Sequence, residues 1–234
     1  VKPPVVVEHQ GIRVVRDDLF PGGTKARFLP VLFARADEVA YASPAEGGAQ
    51  TALAHVARKL GKRATVFVAQ RAERHPRTRE AAALGARIVE VSPGYLNVVR
   101  RRAADHCKAT GALLAPFGMD MPEAIALIAD AARATGEEPD EVWCAAGSGV
   151  LARALALAWP NARRYAVQVG RDVTARDVAG AMVHVYPLPF GRAARTRTPF
   201  PSDPHYDAKA WQMCVARKGG GRVLFWNVVG PAPG

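Results

Sequence analysis

Residues 141–159 read EVWCAAGSGVLARALALAW. The run from Glu141 to Ala145 has the length and apolar character of a buried strand. Gly147-Ser148-Gly149 is a turn, and Gly149 to Trp159 is an Ala- and Leu-rich stretch of helical length. Tyr165 to Val169 predicts a second strand. Strand, glycine turn, helix, strand is the unit of a parallel sheet with right-handed crossovers. The alternation extends toward the N-terminus. Arg63 to Ala69 (RATVFVA) and Arg87 to Val91 (RIVEV) read as strands, with a helix from Thr78 to Leu84 between them, closed by Gly85. Ala49 to Leu60 is helical with Gly61 as its C-cap, and Glu123 to Thr135 is a helix between Pro122 and Gly136. Thr174 to Pro204 is rich in Pro and Arg and has little periodicity; its second half reads as a long ordered loop. Tyr206 to Arg217 predicts a helix and Arg222 to Val228 a final strand. The expected fold class is α/β, with mostly parallel twisted sheets and helices on both faces.

The chain has 234 residues, 49% hydrophobic and 23% charged, which is globular composition with enough length to bury a core. Cys107, Cys144 and Cys214 are far apart and lack a CxxC spacing, so neither a disulfide framework nor a zinc site is expected. Ser148, Gly149 and Arg153 interrupt the longest apolar stretch, which therefore does not span a bilayer. The start, VKPPVVVEHQ, lacks the pattern of a signal peptide. A protein of a reducing cytoplasm, bacterial or of a phage-infected host, with no membrane partner, is the expectation. Lys and Arg total 32 against 21 acids, a net charge of +11 that suits contact with a polyanion. Arg- and Ala-rich composition from GC-rich coding gives the same balance. The basic residues cluster only at Arg100 to Arg102 and at Arg192, Arg195 and Arg197. No zinc-finger, basic-zipper or RNA-binding signature is present.

Three turns are equipped for chemistry. Gly147-Ser148-Gly149 leaves a strand and opens a helix, a geometry that aims backbone N–H groups at one point and suits a phosphate. It is neither a GxxxxGK[ST] loop nor a GxGxxG fingerprint, since it continues as GSGVLA. Gly22-Gly23-Thr24-Lys25 follows Arg16-Asp17-Asp18; a lysine among small residues can approach an aldehyde closely and attack it. Gly47-Gly48 precedes the Ala49 helix and forms a second anion-binding turn. Near the C-terminus, Tyr206-Asp207-Ala208-Lys209 opens a helix, where Asp207 also suits the helix dipole.

Val14 to Leu32, VVRDDLFPGGTKARFLPVL, resembles the "RDDL…GGNK.RKLE" segment of a pyridoxal-phosphate family. That family holds 1-aminocyclopropane-1-carboxylate deaminase and D-cysteine desulfhydrase, within the fold type II class of tryptophan synthase β. Gly85-Ala86 is similar to its "LGA" element, Gly147-Ser148-Gly149 to its phosphate loop, and Tyr206 to Ala210 to its "Y-E/T-G-K-A/S" element. Val223 to Trp226 precedes the position of its "HTGG". The resemblance runs over nearly the whole chain. It implies a trimmed smaller subdomain, residues 35–120, and a larger one, residues 1–34 plus 121–234. Lys25 would form the Schiff base with pyridoxal phosphate and then move a proton at the substrate. Gly147, Ser148 and Gly149 would bind the cofactor phosphate, Asp207 would lie near the pyridine nitrogen, and Tyr206 would flank the ring or reach the substrate. Thr24, Gly47 and Gly48 would also adjoin the cofactor.

The departures are informative. Thr24 stands at the family's Asn, and Asn227-Val228-Val229-Gly230 replaces "HTGG". Two alignments compete for the "GGxQSNH" loop. One sets Gly47 to Thr51 over "GGxQS", with Thr51 at the serine and toward the substrate. The other, favoured by helix length, sets Gly47-Gly48 at the "SN" pair. A trimmed lid, a glycine-opened loop and the +11 charge together suit an amino acid attached to a modified thymine in DNA, as in phage hypermodification. Loss of its α-carboxylate uses the same cofactor, and Arg192, Arg195 and Arg197 would contact phosphates. The alternative is a lyase or deaminase of a free small amino acid, D-cysteine desulfhydrase-like or deaminase-like. His205 is the one histidine placed near these residues. Family members are commonly homodimers, which sets the expected assembly.

Overall fold

The computed structural model describes residues 2–92 and 94–233. The chain begins with strands β1 (Val6–His9) and β2 (Ile12–Arg16), then α1 (Pro30–Arg35), β3 (Glu38–Ala42), α2 (Ala49–Leu60) and β4 (Arg63–Ala69). It continues through α3 (Pro76–Ala83), β5 (Arg87–Val91), α4 (Leu96–Thr110), β6 (Leu113–Leu114) and α5 (Pro122–Arg133). The last elements are β7 (Glu141–Ala146), α6 (Val150–Ala158), β8 (Arg163–Gln168), β9 (Met182–Val185), α7 (Asp207–Arg217) and β10 (Val223–Asn227). The fold class is α/β. Between Tyr186 and Tyr206 there is neither helix nor strand, in keeping with the Pro- and Arg-rich sequence there.

Two compact units divide the chain: Val1–Thr24 with Asp120–Pro231, and Lys25–Met119 with Ala232–Gly234. The first boundary thus falls between Thr24 and Lys25, ahead of the break expected between residues 34 and 35. The larger unit holds a six-stranded sheet of order β1-β2-β10-β7-β8-β9, parallel throughout except for the β1–β2 hairpin. Its turn, Gln10-Gly11, has positive φ at both residues (55° and 70°), the geometry that matches the twist of paired strands. Every residue of β7 and β10 is buried. Central strands covered on both faces need such continuous burial. Trp143, Phe225, Trp211, Phe200 and Cys214 form the core beneath α7, and Trp143 stacks on Tyr165 with ring centroids 4.3 Å apart. The buried Glu141 is satisfied there by Trp143 Nε1 at 2.6 Å and by the Gly219 N–H.

The smaller unit is a four-stranded parallel sheet of order β5-β4-β3-β6. Helix α2 buries its Ala, Leu and Val face and ends at Gly61, left-handed at φ 64°. Helix α4 covers Phe67, Val91 and Ala42 with Val99 and Ala103. Among the described residues, no helix is long and apolar enough to cross a membrane.

Candidate functional site

In open α/β sheets, ligands bind beyond the carboxyl ends of the strands, where neighbouring connections diverge. In the larger unit this place lies after β7 and β10. The chain leaves β7 through Gly147-Ser148-Gly149 into α6 and on to β8, whereas β10 flanks β7 on the other side. Gly149 is the N-cap of α6 at φ 83°, and a Cβ there would lie 2.0 Å from the Asp177 carbonyl oxygen. Only glycine fits that position. Gly147 lies against Tyr206: a Cβ on it would meet the Tyr206 ring and hydroxyl at 3.4 Å. The two glycines thus let Tyr206 and the Asp177 carbonyl pack closely around a turn that opens α6, and the backbone N–H groups of a helix N-terminus are the form that suits a phosphate.

Tyr206 and Asp207 stand at the start of α7. The Tyr206 hydroxyl donates to Ala145 O at 3.4 Å. Burial, and then the Asp207 carboxylate, push its pKa up, so the phenol stays protonated and acts as a donor, not a base. Asp207 is fully buried, and its Oδ2 accepts from Val228 N at 3.1 Å and Val229 N at 3.2 Å. The Asp207 carboxylate thus binds the segment that follows β10, where the sequence departs from "HTGG".

Gly22 to Thr24 adjoins the same segment. Thr24 N donates to Val228 O at 3.1 Å, and Gly23, at φ 67°, lets that oxygen approach where a Cβ would stand 2.3 Å away. The Thr24 hydroxyl donates to Asp17 Oδ2 at 2.7 Å and accepts from Trp226 Nε1 at 2.9 Å. It is a buried strut. Asp18 accepts from Arg16 and from Asn227 Nδ2 at 2.7 Å. The two acids of "RDD" thus build the turn that presents the next residue, Lys25.

Lys25 opens the smaller unit within a 3-10 turn, Thr24–Arg27, and is half-buried; its carbonyl accepts from Phe28 N and Leu29 N. In that unit α2 starts at Ala49 with Gly48 as N-cap, and Gln50 Nε2 closes the preceding loop on Ala45 O at 2.7 Å. Thr51 is buried in the first turn of α2 with its hydroxyl on Glu80 at 3.1 Å. Gly47 and Gly48 thus lie immediately ahead of α2, and Thr51 lies within it. Glu46 pairs with Arg71 at 2.8 Å.

The basic loop residues Arg192, Arg195 and Arg197 are all exposed. Lys209, fully buried, anchors this loop by donating to Pro189 O at 2.9 Å and Phe190 O at 3.3 Å. His205 Nδ1 also meets Phe190 O, at 3.1 Å. The sequence reading missed Arg171, whose guanidinium lies on the Gly147 carbonyl at 3.0 Å. No motif marks it; proximity arises only on folding.

The family described as "Pyridoxal-phosphate dependent enzyme" matches residues 7–214. The chain belongs to this family. Its cofactor is pyridoxal phosphate. Among solved structures, an ACC deaminase homologue superposes with a TM-score of 0.79 at 21% identity, over 93% of this chain and 84% of that one. Maize serine racemase gives 0.73 at 14% identity, over 99% and 88%. Apo diaminopropionate ammonia lyase from Escherichia coli gives 0.65 at 16%, over 94% and 77%. At these identities the likeness shows the fold alone. No curated protein matches the chain by sequence.

Proposed function

We propose that this family member acts at the α-carbon of an amino acid attached to a modified thymine in DNA, as a decarboxylase or related lyase. Pyridoxal phosphate supplies an electron sink for charge developing at that carbon. The Gly147–Gly149 cradle would hold its phosphate, and the Lys25 amine would hold its aldehyde carbon. Lys25, once released, would deliver a proton to the α-carbon as the carboxylate leaves as carbon dioxide. Tyr206, held protonated, would donate a hydrogen bond and take no proton. Asp207 would lie on the pyridine-nitrogen side.

The observation that carries the substrate class is the start of α2. Gly47 and Gly48 carry no side chain of their own there; the Gly47 N–H closes the loop on Pro44 O at 3.0 Å, and no side chain caps α2, which leaves room beside the helix start for a bulky substituent. Exposed Arg192, Arg195 and Arg197 and the net charge of +11 support a polyanionic carrier. A free small amino acid is the second reading, favoured by the likeness to the ACC deaminase homologue over 93% of the chain. A homodimer is the proposed assembly for either.

The test adds amino-acid-modified duplex DNA or free D- and L-amino acids to the holoenzyme and follows the cofactor's visible band and the products by mass spectrometry. A response to the DNA alone, with duplex affinity falling steeply as salt rises, is expected. A response to free amino acids alone would overturn the DNA reading in favour of the second.

A further inference from the structure

The connection between β8 and β9 grips the Gly147–Gly149 turn from outside. Arg171 donates Nε–H to Gly147 O at 3.0 Å, and its Nη2 reaches Ser148 O at 3.5 Å and Asp177 Oδ1 at 3.4 Å. Nη1 donates to Asp172 O at 3.3 Å. Asp177 is braced in turn, its Oδ2 accepting from Thr174 N at 2.8 Å and Thr174 Oγ1 at 2.9 Å. These bonds hold its carboxyl below the usual range. Gln168, at the end of β8, fixes the near side of the connection through Asp172 Oδ1 at 2.9 Å and Val173 N at 3.0 Å. From the far side, the Asp177 carbonyl packs where a Gly149 Cβ would stand, 2.0 Å away.

In a planar trans peptide the C=O and N–H point in opposite directions. The Gly147 carbonyl shares its peptide with the Ser148 N–H, and the Ser148 carbonyl shares its peptide with the Gly149 N–H. Drawing both carbonyls toward Arg171 therefore aims both N–H groups the other way. A cationic donor on the carbonyls also polarises those peptides and strengthens the opposite N–H groups as donors.

We propose that Arg171, braced by Asp177, is a positioning residue that presets the Ser148 and Gly149 N–H groups for a phosphate. It acts through the carbonyls and not by touching the anion. This inference rests on the reading of the turn as the cofactor's phosphate site. Lysine keeps the charge but lacks the planar fork that spans two carbonyls and Asp177.

Direct titration with pyridoxal phosphate and with pyridoxal, which lacks the phosphate, separates the possibilities. Arg171→Ala is expected to weaken pyridoxal phosphate binding on the order of tenfold while leaving pyridoxal affinity unchanged. Arg171→Lys should not restore it, and Thr174→Ala, which loosens the brace, should show a smaller loss in the same sense. Equal affinity of wild type and Arg171→Ala for pyridoxal phosphate would overturn the inference while the cofactor site stands. So would restoration by lysine, since charge alone would then suffice, or equal losses for both ligands. A wild-type chain that binds pyridoxal phosphate no better than pyridoxal would instead overturn the phosphate-site reading beneath it.

Discussion

One carboxylate and one backbone bond join three chain segments at the mouth of the larger sheet. Asp207 opens α7, and its Oδ2 receives the Val228 and Val229 N–H groups; Thr24 N in turn donates to Val228 O. Removing a buried acceptor from two donors leaves those donors with a desolvation cost. Asp207→Ala is therefore expected to lower unfolding stability by roughly 1–3 kcal/mol, whatever it does to activity. Urea denaturation of the cofactor-free protein checks this; an unchanged midpoint would confine Asp207 to the cofactor. Lys25 gives a cleaner chemical test. Borohydride reduction should fix pyridoxal phosphate to the wild-type chain and leave Lys25→Ala unlabelled, as read by peptide mass. Label persisting in the variant would move the attachment to another lysine. Both residues are singled out in the sequence by the motifs that surround them. The Thr24 hydroxyl is not, because its partner Trp226 is 202 residues away and no local pattern announces the pair.

Elements with strong punctuation are those the sequence places best. Arg63–Ala69, Arg87–Val91 and Ala49–Leu60 form as read, since β-branched runs and the Gly61 cap leave little choice of boundary. The hairpin of β1 and β2 went unread because its turn signal is a lone Gly11 behind Gln10. Helix α4 escaped for a different reason: Arg100 to Arg102 blur its apolar spacing, and only Val99 and Ala103 are buried. The turn before α6 shows what an element-level constraint costs to break. Gly149→Ala combines a left-handed backbone, worth about 1–3 kcal/mol of strain, with a collision against the Asp177 carbonyl. Gly61 is also left-handed but has nothing within 4 Å, so Gly61→Ala meets the backbone penalty alone. Thermal unfolding should rank Gly149→Ala well below Gly61→Ala, and pyridoxal phosphate affinity should fall in the first variant only. Equal melting temperatures would mean that the 170–180 connection yields freely to the turn.

The molecule as a whole buries weak acids in both of its units, and this sets how it responds to alkali. Burial pushes Tyr41 up from 10.0 to about 12 and Cys144 up from 9.0 to about 12, and raises Cys214 and Tyr206 as well. A raised pKa in a thiol or phenol means that the folded chain keeps a proton the unfolded chain gives up. Stability from these groups is therefore complete below the unfolded values, near pH 9–10, and is lost as pH rises toward the folded ones. The urea midpoint should be insensitive to these groups near neutrality and fall progressively from about pH 9 upward. Tyr206→Phe should reduce the slope above about pH 10, because phenylalanine has no proton to lose there. A midpoint constant across that interval would contradict the burial of these groups. So would phenolate absorbance from all five tyrosines before the chain unfolds. The same protonation that fails in alkali is what keeps Tyr206 a hydrogen-bond donor beside Gly147 at neutral pH. In the folded chain that donor persists while stability declines, so it is lost only when the chain unfolds, and activity on the alkaline side should end with the fold.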